Sequence, residues 1–196
     1  MQTTLSKQQL IMAAAFAAAM AATRYHHFGS DVNLPDASLA IFFLAGFYLQ
    51  SLRFFAAFFV EAAVIDYLAT QVGGVSDWCL SPAYWFLIPT YAALWYGGRW
   101  YAARHQLRWR TVLPLLGALL TTVTLAFLIS NGGFYLFSGR FPDLSWTEYA
   151  ARVAQYYLPY VSSAFGYVAI AAMIHVPVVN MSGMTRTAPH RRVTRD

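Results

Sequence analysis

Residues 111–130 have the sequence TVLPLLGALLTTVTLAFLIS, which contains no charged side chain. A helix of about 20 apolar residues spans the hydrocarbon core of a bilayer. The rest of the chain is similar, since 59% of its 196 residues are apolar and 11% are charged, against about 25% charged in an average soluble domain. A soluble fold of this length cannot bury so much apolar surface, so the sequence predicts an integral membrane protein.

Five further segments have the composition of membrane helices. The six predicted helices are 9–23, 37–50, 52–72, 82–101, 111–130 and 146–176, with Pro159 as a kink in the last. They use most of the chain, so we expect one all-α transmembrane domain over residues 1–180 and a basic tail over residues 181–196. The first segment, which follows Lys7, also fits a signal peptide, but we expect it to be retained as a helix.

Lysine and arginine residues are unevenly distributed between the predicted loops. With six crossings, ten basic residues lie on the side of the termini, and three lie on the opposite side. The ten are Lys7, Arg53, Arg99, Arg104, Arg108, Arg110, Arg186, Arg191, Arg192 and Arg195; the three are Arg24, Arg140 and Arg152. Basic loops stay in the cytoplasm. We therefore expect a multi-pass protein of a bacterial inner membrane with both termini in the cytoplasm.

Some functions are excluded by missing motifs. No glycine-rich phosphate loop followed by Lys and Ser or Thr occurs, so the chain is not expected to hydrolyse a nucleotide. If it moves a solute uphill, the energy must come from a partner, a gradient or chemical trapping. The one cysteine cannot form an intramolecular disulfide. The expected surroundings are the lipid bilayer, and no nucleic-acid partner is expected.

Cys79 is the first candidate for chemistry. It lies in the predicted outer connection, just before the fourth helix, where the positive end of the helix dipole favours the thiolate. A thiolate is a nucleophile and a soft ligand. One cysteine cannot build a zinc site, but a metal already held in a macrocycle needs only one axial ligand. The alternative is a cysteine that packs as a small apolar side chain.

Asp66 and Arg152 are charged residues within predicted membrane helices. Asp66 lies about six residues from the outer end of the third helix, which is roughly 9 Å deep. Arg152 enters the sixth helix from the same side to a similar depth. Ionisable groups in a membrane are costly and mark functional sites. We therefore expect both to face the bundle interior, paired with each other or sharing a polar ligand, and the alternative is a purely structural ion pair.

Several other polar residues lie within or near the predicted helices. Tyr84 follows Cys79 by five residues and can reach the same outer vestibule, although a lone aromatic at this point also fits an interface anchor. Glu61 lies deeper in the third helix, and we assign it either a proton site or a helix-to-helix hydrogen bond. His26 and His27 lie in an outer connection as solvated residues or metal ligands. His105 and His175 lie on the inner side, and we assign them no role.

Small residues recur along the first helix. Ala13, Ala17 and Ala21 form one line, and a second alanine line lies beside it. Small residues four apart allow another helix to approach closely. This spacing predicts either internal packing or a docking face for a partner protein.

Three stretches of the sequence together resemble the BtuM family of small bacterial membrane proteins. They are PDASLA (35–40), FFLAGFY (42–48) and DWCLSPAYW (77–85). The resemblance covers nearly the whole chain, including its length and its one loop cysteine. It implies import of cobalamin (vitamin B12) by a bundle like the substrate-binding S-components of energy-coupling factor transporters. It also implies that Ala13, Ala17 and Ala21 dock onto a coupling-factor transmembrane subunit.

The resemblance assigns roles to individual residues as well. It implies that Cys79 is the axial ligand to the cobalt of cobalamin and assists removal of cyanide from cyanocobalamin, which would make it the one catalytic residue of a protein that is primarily a transporter. It also implies that Asp66, Tyr84 and Arg152 line the corrin site. A corrin edge carries many amides, for which these side chains are suitable hydrogen-bonding partners.

Two other functions remain open from the sequence. One is a membrane haem or redox protein that uses His26, His27 or His175 as ligands, although these histidines are not expected to face one another at matched depths. The other is a structural membrane protein with no ligand.

Overall fold

The computed structural model describes residues 6–24, 34–72 and 81–186, with residues 180–186 described by their backbone alone. All regular secondary structure in these ranges is helical, which confirms the predicted all-α fold with six helices. The helices are α1 (Lys7–Arg24), α2 (Ser38–Tyr48), α3 (Leu52–Gln71), α4 (Leu87–Ala102), α5 (Val112–Phe137) and α6 (Trp146–Arg186). Short 3-10 helices, Pro82–Phe86 and Trp109–Thr111, lead into α4 and α5.

The join between α2 and α3 is as tight as the sequence predicted. Only three residues separate the helices, and the middle one, Gln50, has a left-handed backbone with φ of 57°. This conformation is uncommon for a residue other than glycine. It reverses the chain direction within one turn, so α2 and α3 run in opposite directions.

The predicted end of the fifth helix at residue 130 was wrong. α5 continues through Asn131 and both glycines to Phe137, so the expected connection 131–145 shortens to residues 138–145. A side chain at Gly133 would overlap the ring of Phe86, and Phe86 in turn stacks on Phe137 with ring centroids 5.1 Å apart. Tertiary packing of this last turn therefore outweighs the low helix propensity of glycine.

The sixth helix is also longer than predicted. It continues past residue 176 to Arg186 and includes both Pro159 and Pro177. The predicted tail at 181–196 therefore begins within this helix, and residues 187–196 lie outside the described residues.

The core is built around α2. Residues 38–46 are all buried, and α2 contacts α1, α3, α4 and α6. A side chain at Gly46 would overlap the carbonyl group of Trp95, and one at Gly98 would overlap that of Phe43. The two glycines thus allow the backbones of α2 and α4 to touch. This close contact centres the bundle, with α5 packed on α4 and α6 packed on α5.

Two helical stretches in the described ranges are long and apolar enough to cross a membrane, Trp109–Phe137 and Trp146–Val179. Both expose large apolar side chains, for example Leu113 at 76% and Leu158 at 71%. Of the six predicted spans, these two meet the requirements of length and composition.

Candidate ligand-binding site

A cavity of about 570 Å³ lies at one end of the bundle. It is lined by the ends of α1, α3 and α5, by the beginnings of α4 and α6, and by residues just before and within the start of α2. Its volume falls in the range of small-molecule sites, about 300–1,000 Å³. Asp66, Tyr84 and Arg152, which the sequence placed at one vestibule, all line this cavity.

Arg24 forms the polar centre beside this cavity. It is the last residue of α1 and is only 6% exposed. Its Nε donates to Oδ1 of Asp66 at 2.7 Å, and its Nη2 donates to Oδ2 of the same carboxylate at 2.6 Å. Such two-point pairing fixes both side chains in position and is among the stronger hydrogen-bonding arrangements in proteins.

The third nitrogen of Arg24 binds three further groups. Nη1 donates to Oδ2 of Asp36 at 3.0 Å, to the hydroxyl of Ser38 at 3.0 Å and to the hydroxyl of Tyr91 at 2.9 Å. The ring of Tyr91 stacks on Phe42 with centroids 4.1 Å apart, which holds the hydroxyl in place. One guanidinium therefore ties together α1, the beginning of α2, α3 and α4. Its single positive charge also pairs with two carboxylates, those of Asp36 and Asp66.

Tyr84 completes the coordination of Asp66. Its hydroxyl donates to Oδ2 of Asp66 at 2.8 Å, so the carboxylate accepts three hydrogen bonds. The 3-10 helix that carries Tyr84 begins at Pro82, a residue suited to the first position of a helix. Asp66 thus positions the Tyr84 ring at the cavity wall.

Of the two arrangements expected for Asp66 and Arg152, the direct pair does not form, and the shared polar ligand stays a prediction. Asp66 pairs with Arg24, which the sequence analysis had placed in an outer connection. Because α1 extends to Arg24, this side chain enters the bundle at the depth of Asp66. Arg24, Asp36, Tyr91 and Asn131 are among the members of the site that were not predicted from the sequence. Arg24 directly follows the first predicted helix, and Asp36 directly precedes the second. Their opposite charges were the signal from which a pair between them could have been predicted.

Arg152 instead lies against aromatic rings on the other side of the cavity. Its guanidinium carbon is 4.6 Å from the ring centroid of Phe141 and 5.3 Å from that of Tyr156. Its buried Nε has no hydrogen-bond partner among the described residues, and the same is true of Oδ1 of Asn131. Buried polar atoms are nearly always satisfied. These two atoms are themselves buried, but both residues line the cavity, and their polar side chains favour a polar ligand there.

Cys79, His26 and His27 lie outside the described residues, so their predicted roles stay predictions. In sequence, Cys79 is two residues before Ser81 and five before Tyr84. Glu61 is half-buried near the middle of α3 and does not line the cavity.

The alanine lines of α1 differ in exposure. Ala13 and Ala17 are half-buried and pack against the core, whereas Ala21 is exposed. The neighbouring line, Ala14, Ala18 and Ala22, is exposed along its whole length. The predicted docking residues therefore divide between the internal contact of α1 and its outer surface.

His105 and His175, to which the sequence analysis gave no role, lie together at the opposite end of the bundle. Their ring centroids are 5.3 Å apart. Within the described ranges, no group of three or more His, Cys, Asp or Glu side chains could hold a metal ion.

No protein-family model matches this chain, and no curated protein matches it significantly. A function must therefore be inferred from the cavity, its residues and the sequence motifs. The arrangement is that of a binding site at the end of a helical bundle.

Proposed function

We propose that this protein binds cobalamin from the outer side of a bacterial inner membrane and transports it inward. The observation that carries the proposal is the cavity that joins Asp66, Tyr84 and Arg152. These residues are far apart in sequence, and each was assigned to the corrin site through the resemblance to the BtuM family. Their meeting at one cavity is expected if that assignment holds.

The exposed surface of α5 and α6 supports a membrane location. Contiguous apolar surface of this extent is unfavourable in water and favourable against acyl chains. α1 and α3 have 18 and 20 residues, which is close to the length needed for a crossing. In the proposed topology all six helices lie in the bilayer, with α2 shielded from lipid by its neighbours, and both termini face the cytoplasm.

The polar groups of the cavity suit the edge of a corrin ring. The amide side chains of the corrin offer carbonyl oxygens to Arg152 and N–H groups to Oδ1 of Asn131. The apolar and aromatic walls suit the ring itself. Cobalamin is too large to be enclosed in this cavity, so we propose that one edge of the corrin enters and that the rest stays outside the cavity mouth.

In this proposal the thiolate of Cys79 is the axial ligand to cobalt. The short sequence distance from Cys79 to Tyr84 supports the assignment, because Tyr84 is part of the cavity wall. A strong thiolate donor weakens a bond to cyanide on the opposite face of the metal. Removal of cyanide from cyanocobalamin is therefore included in the proposal, as is docking to a coupling-factor subunit through α1.

Arg24 supports the site without needing to touch the ligand. It fixes Asp66, which in turn holds Tyr84, and it connects this unit to α1 and to the beginning of α2. A ligand that contacts Tyr84 is thereby linked to four helices through hydrogen bonds. Through these hydrogen bonds, a shift of Tyr84 on ligand binding can move the helices that Arg24 joins.

The decisive experiment is the absorption spectrum and metal content of the full chain. The protein would be purified in a mild neutral detergent after incubation with cyanocobalamin, and cobalt would be measured by mass spectrometry. We expect about one cobalt per chain and a corrin spectrum displaced from that of free cyanocobalamin. The displacement should vanish in Cys79→Ala and remain in Ser76→Ala, a control in the same connection.

Three results would count against parts of this proposal. Absence of cobalt from the wild-type chain would refute cobalamin binding. A displaced spectrum that persists in Cys79→Ala would refute the cobalt ligand while leaving the binding site. A Soret band with bound iron would favour the haem protein instead.

A further inference from the structure

A second cavity, of about 390 Å³, lies at the end of the bundle opposite the first. It is formed by the end of α2, the end of α4, the beginning of α5 and the second half of α6, together with the connection between α4 and α5. A fully buried layer that includes Phe42, Trp95 and Val123 lies between the two ends. This second cavity, which is called the inner cavity below, is therefore separate from the proposed cobalamin site.

The walls of the inner cavity are mostly apolar. Aromatic and aliphatic side chains from four helices line it, among them Phe47, Tyr101, Leu115 and Val168. Arg108 also lines the cavity. Apart from the histidines His105 and His175, it is the one residue with an ionisable basic or acidic side chain among the described lining residues. Such a cavity favours an apolar chain in its interior and a polar group at its mouth.

Two imidazoles, those of His105 and His175, belong to the polar part of the lining, together with Gln106, Arg108 and Thr111. Nδ1 of His175 is 2.9 Å from the hydroxyl of Tyr48, and Nδ1 of His105 is 2.9 Å from the hydroxyl of Tyr101. Each tyrosine fixes its histidine ring and engages one of the two ring nitrogens. Nε2 is therefore the nitrogen of each ring that can serve a ligand.

The charges of this end favour an anion. Arg108 lines the cavity, and Arg53, Arg99, Arg104 and Arg110 lie at the same end of the helices. Four of the described acidic residues, Asp36, Asp66, Asp143 and Glu148, lie toward the opposite end of the bundle, in or next to the helix ends there. Glu61 belongs to α3, which contributes nothing to the lining. Among the described residues that line the cavity, an anionic group at the mouth would thus meet positive charge and no carboxylate.

We propose that the inner cavity is a binding site for an anionic amphiphile, with its apolar chain between α2, α5 and α6 and its acid group at Arg108 and the two imidazoles. Basic pockets between membrane helices on the cytoplasmic side are a recognised setting for acidic lipid headgroups. A free fatty acid and an acidic phospholipid share the required chemistry. This site is independent of cobalamin and of Cys79.

The test is a binding titration by native mass spectrometry of the full chain in a neutral polyoxyethylene detergent. The probes are dodecanoate, its neutral analogue dodecanol, dioctanoyl phosphatidylglycerol and dioctanoyl phosphatidylcholine. We expect at least one acidic probe to bind more tightly than its neutral counterpart. In Arg108→Gln, the Kd of that acidic probe should rise about tenfold, the size expected for loss of one charged hydrogen bond.

Arg104→Gln is the matched control. It removes the same charge from the same connection, but Arg104 lies over the ring of Trp100 at 4.0 Å and does not line the cavity. A second variant, Ala172→Phe, fills the cavity and should weaken acidic and neutral probes alike. Thermal unfolding of each variant would show whether the bundle remains folded.

The outcomes separate the two sources of the ligand and also test the site itself. Preference for dodecanoate alone identifies a fatty acid site, and preference for phosphatidylglycerol alone identifies a phospholipid site. Equal binding of acidic and neutral probes would overturn the proposal. So would equal effects of Arg108→Gln and Arg104→Gln. Because cobalamin is absent from the experiment, failure here would leave the proposed transport function untouched.

Discussion

The guanidinium of Arg24 and the carboxylate of Asp66 meet at two points, with Nε–Oδ1 and Nη2–Oδ2 distances of 2.7 and 2.6 Å. Both side chains are almost completely buried. Removal of one partner from a buried ion pair leaves the other charge uncompensated, which is far more costly than the pair is stabilising. The pair is therefore a sensitive point of the fold as well as of the cavity.

Arg24→Leu is expected to lower the free energy of unfolding by about 3–5 kcal/mol, because it leaves the carboxylates of Asp66 and Asp36 without their positively charged partner. The measurement is thermal and denaturant unfolding in detergent, followed by tryptophan fluorescence. Arg53→Leu, at an exposed position of α3, is the control and should change stability little. The double variant Arg24→Leu with Asp66→Asn should recover part of the loss. A loss as small as that of the control would contradict the role given to Arg24.

Arg152→Gln is expected to weaken cobalamin binding about tenfold, since it removes the charge of the one guanidinium that has an unpaired buried nitrogen at the cavity. Equilibrium titration followed by corrin absorbance would measure the change. Arg152→Lys keeps the charge but lacks the planar group that packs on Phe141 and Tyr156, so it should rescue binding only in part. Arg110→Gln, at the other end of the bundle, should bind as the wild type does. If Arg152→Gln and Arg152→Lys bound cobalamin with the same affinity as Arg110→Gln, Arg152 would be excluded from the site.

Stability is expected to fall as the pH falls below about 6.5, and His105 contributes to this dependence. Burial lowers the pKa of His105 from its ordinary value of 6.5, and the neighbouring His175 lowers it further. The folded state therefore takes up the proton less readily than the unfolded state. The stabilisation from neutral His105 is complete above the unfolded pKa and is lost as the pH falls from that value through the folded pKa.

Unfolding temperatures between pH 8 and pH 5 would test this dependence. His105→Gln should flatten the decline in part, because His175 still titrates. His190→Gln, in the C-terminal tail, is the matched control and should keep the wild-type slope. A steeper decline in His105→Gln would show that the sign of the effect is wrong.

Gly98→Ala is expected to destabilise the protein by about 1–3 kcal/mol or more, since the added methyl group meets the carbonyl group of Phe43. A backbone atom cannot move aside without shifting α2. Gly117→Ala is the matched control, because no atom outside its own helix lies within 4 Å of the new methyl group. It should leave stability unchanged or raise it slightly. Unfolding midpoints of the two variants would make the comparison, and similar values would contradict the close backbone contact of α2 and α4.

The parts of the fold that depend on local composition could be predicted from the sequence. Apolar composition predicted all six helices, and the short join at Gln50 followed from the spacing of the second and third. The end of α5 was missed, because two glycines and an asparagine favour a loop locally and only the distant ring of Phe86 explains why they remain helical. Contacts between segments far apart in sequence leave no such local signal.

The candidate site shows the same division. Depth within the helices predicted that Asp66, Tyr84 and Arg152 approach one vestibule, and they line one cavity. Depth could not predict which arginine binds Asp66, because that choice depends on the rotation of each helix about its axis. The same limit hid the contact of His105 with His175, which are 70 positions apart in the printed sequence.

The glycine contact between α2 and α4 also restricts how the protein can change shape. With no side chain between their backbones at Gly46 and Gly98, these two helices are in direct contact, and their separation would break the closest packing of the bundle. We therefore expect a continuous passage from the first cavity to the second to open by displacement of α5 or α6 and not by separation of α2 from α4. α5 and α6 are also the helices with the broad exposed apolar surface. Under the proposed transport function, they would therefore be the gating helices, and the composition of the surrounding bilayer would affect the transport rate.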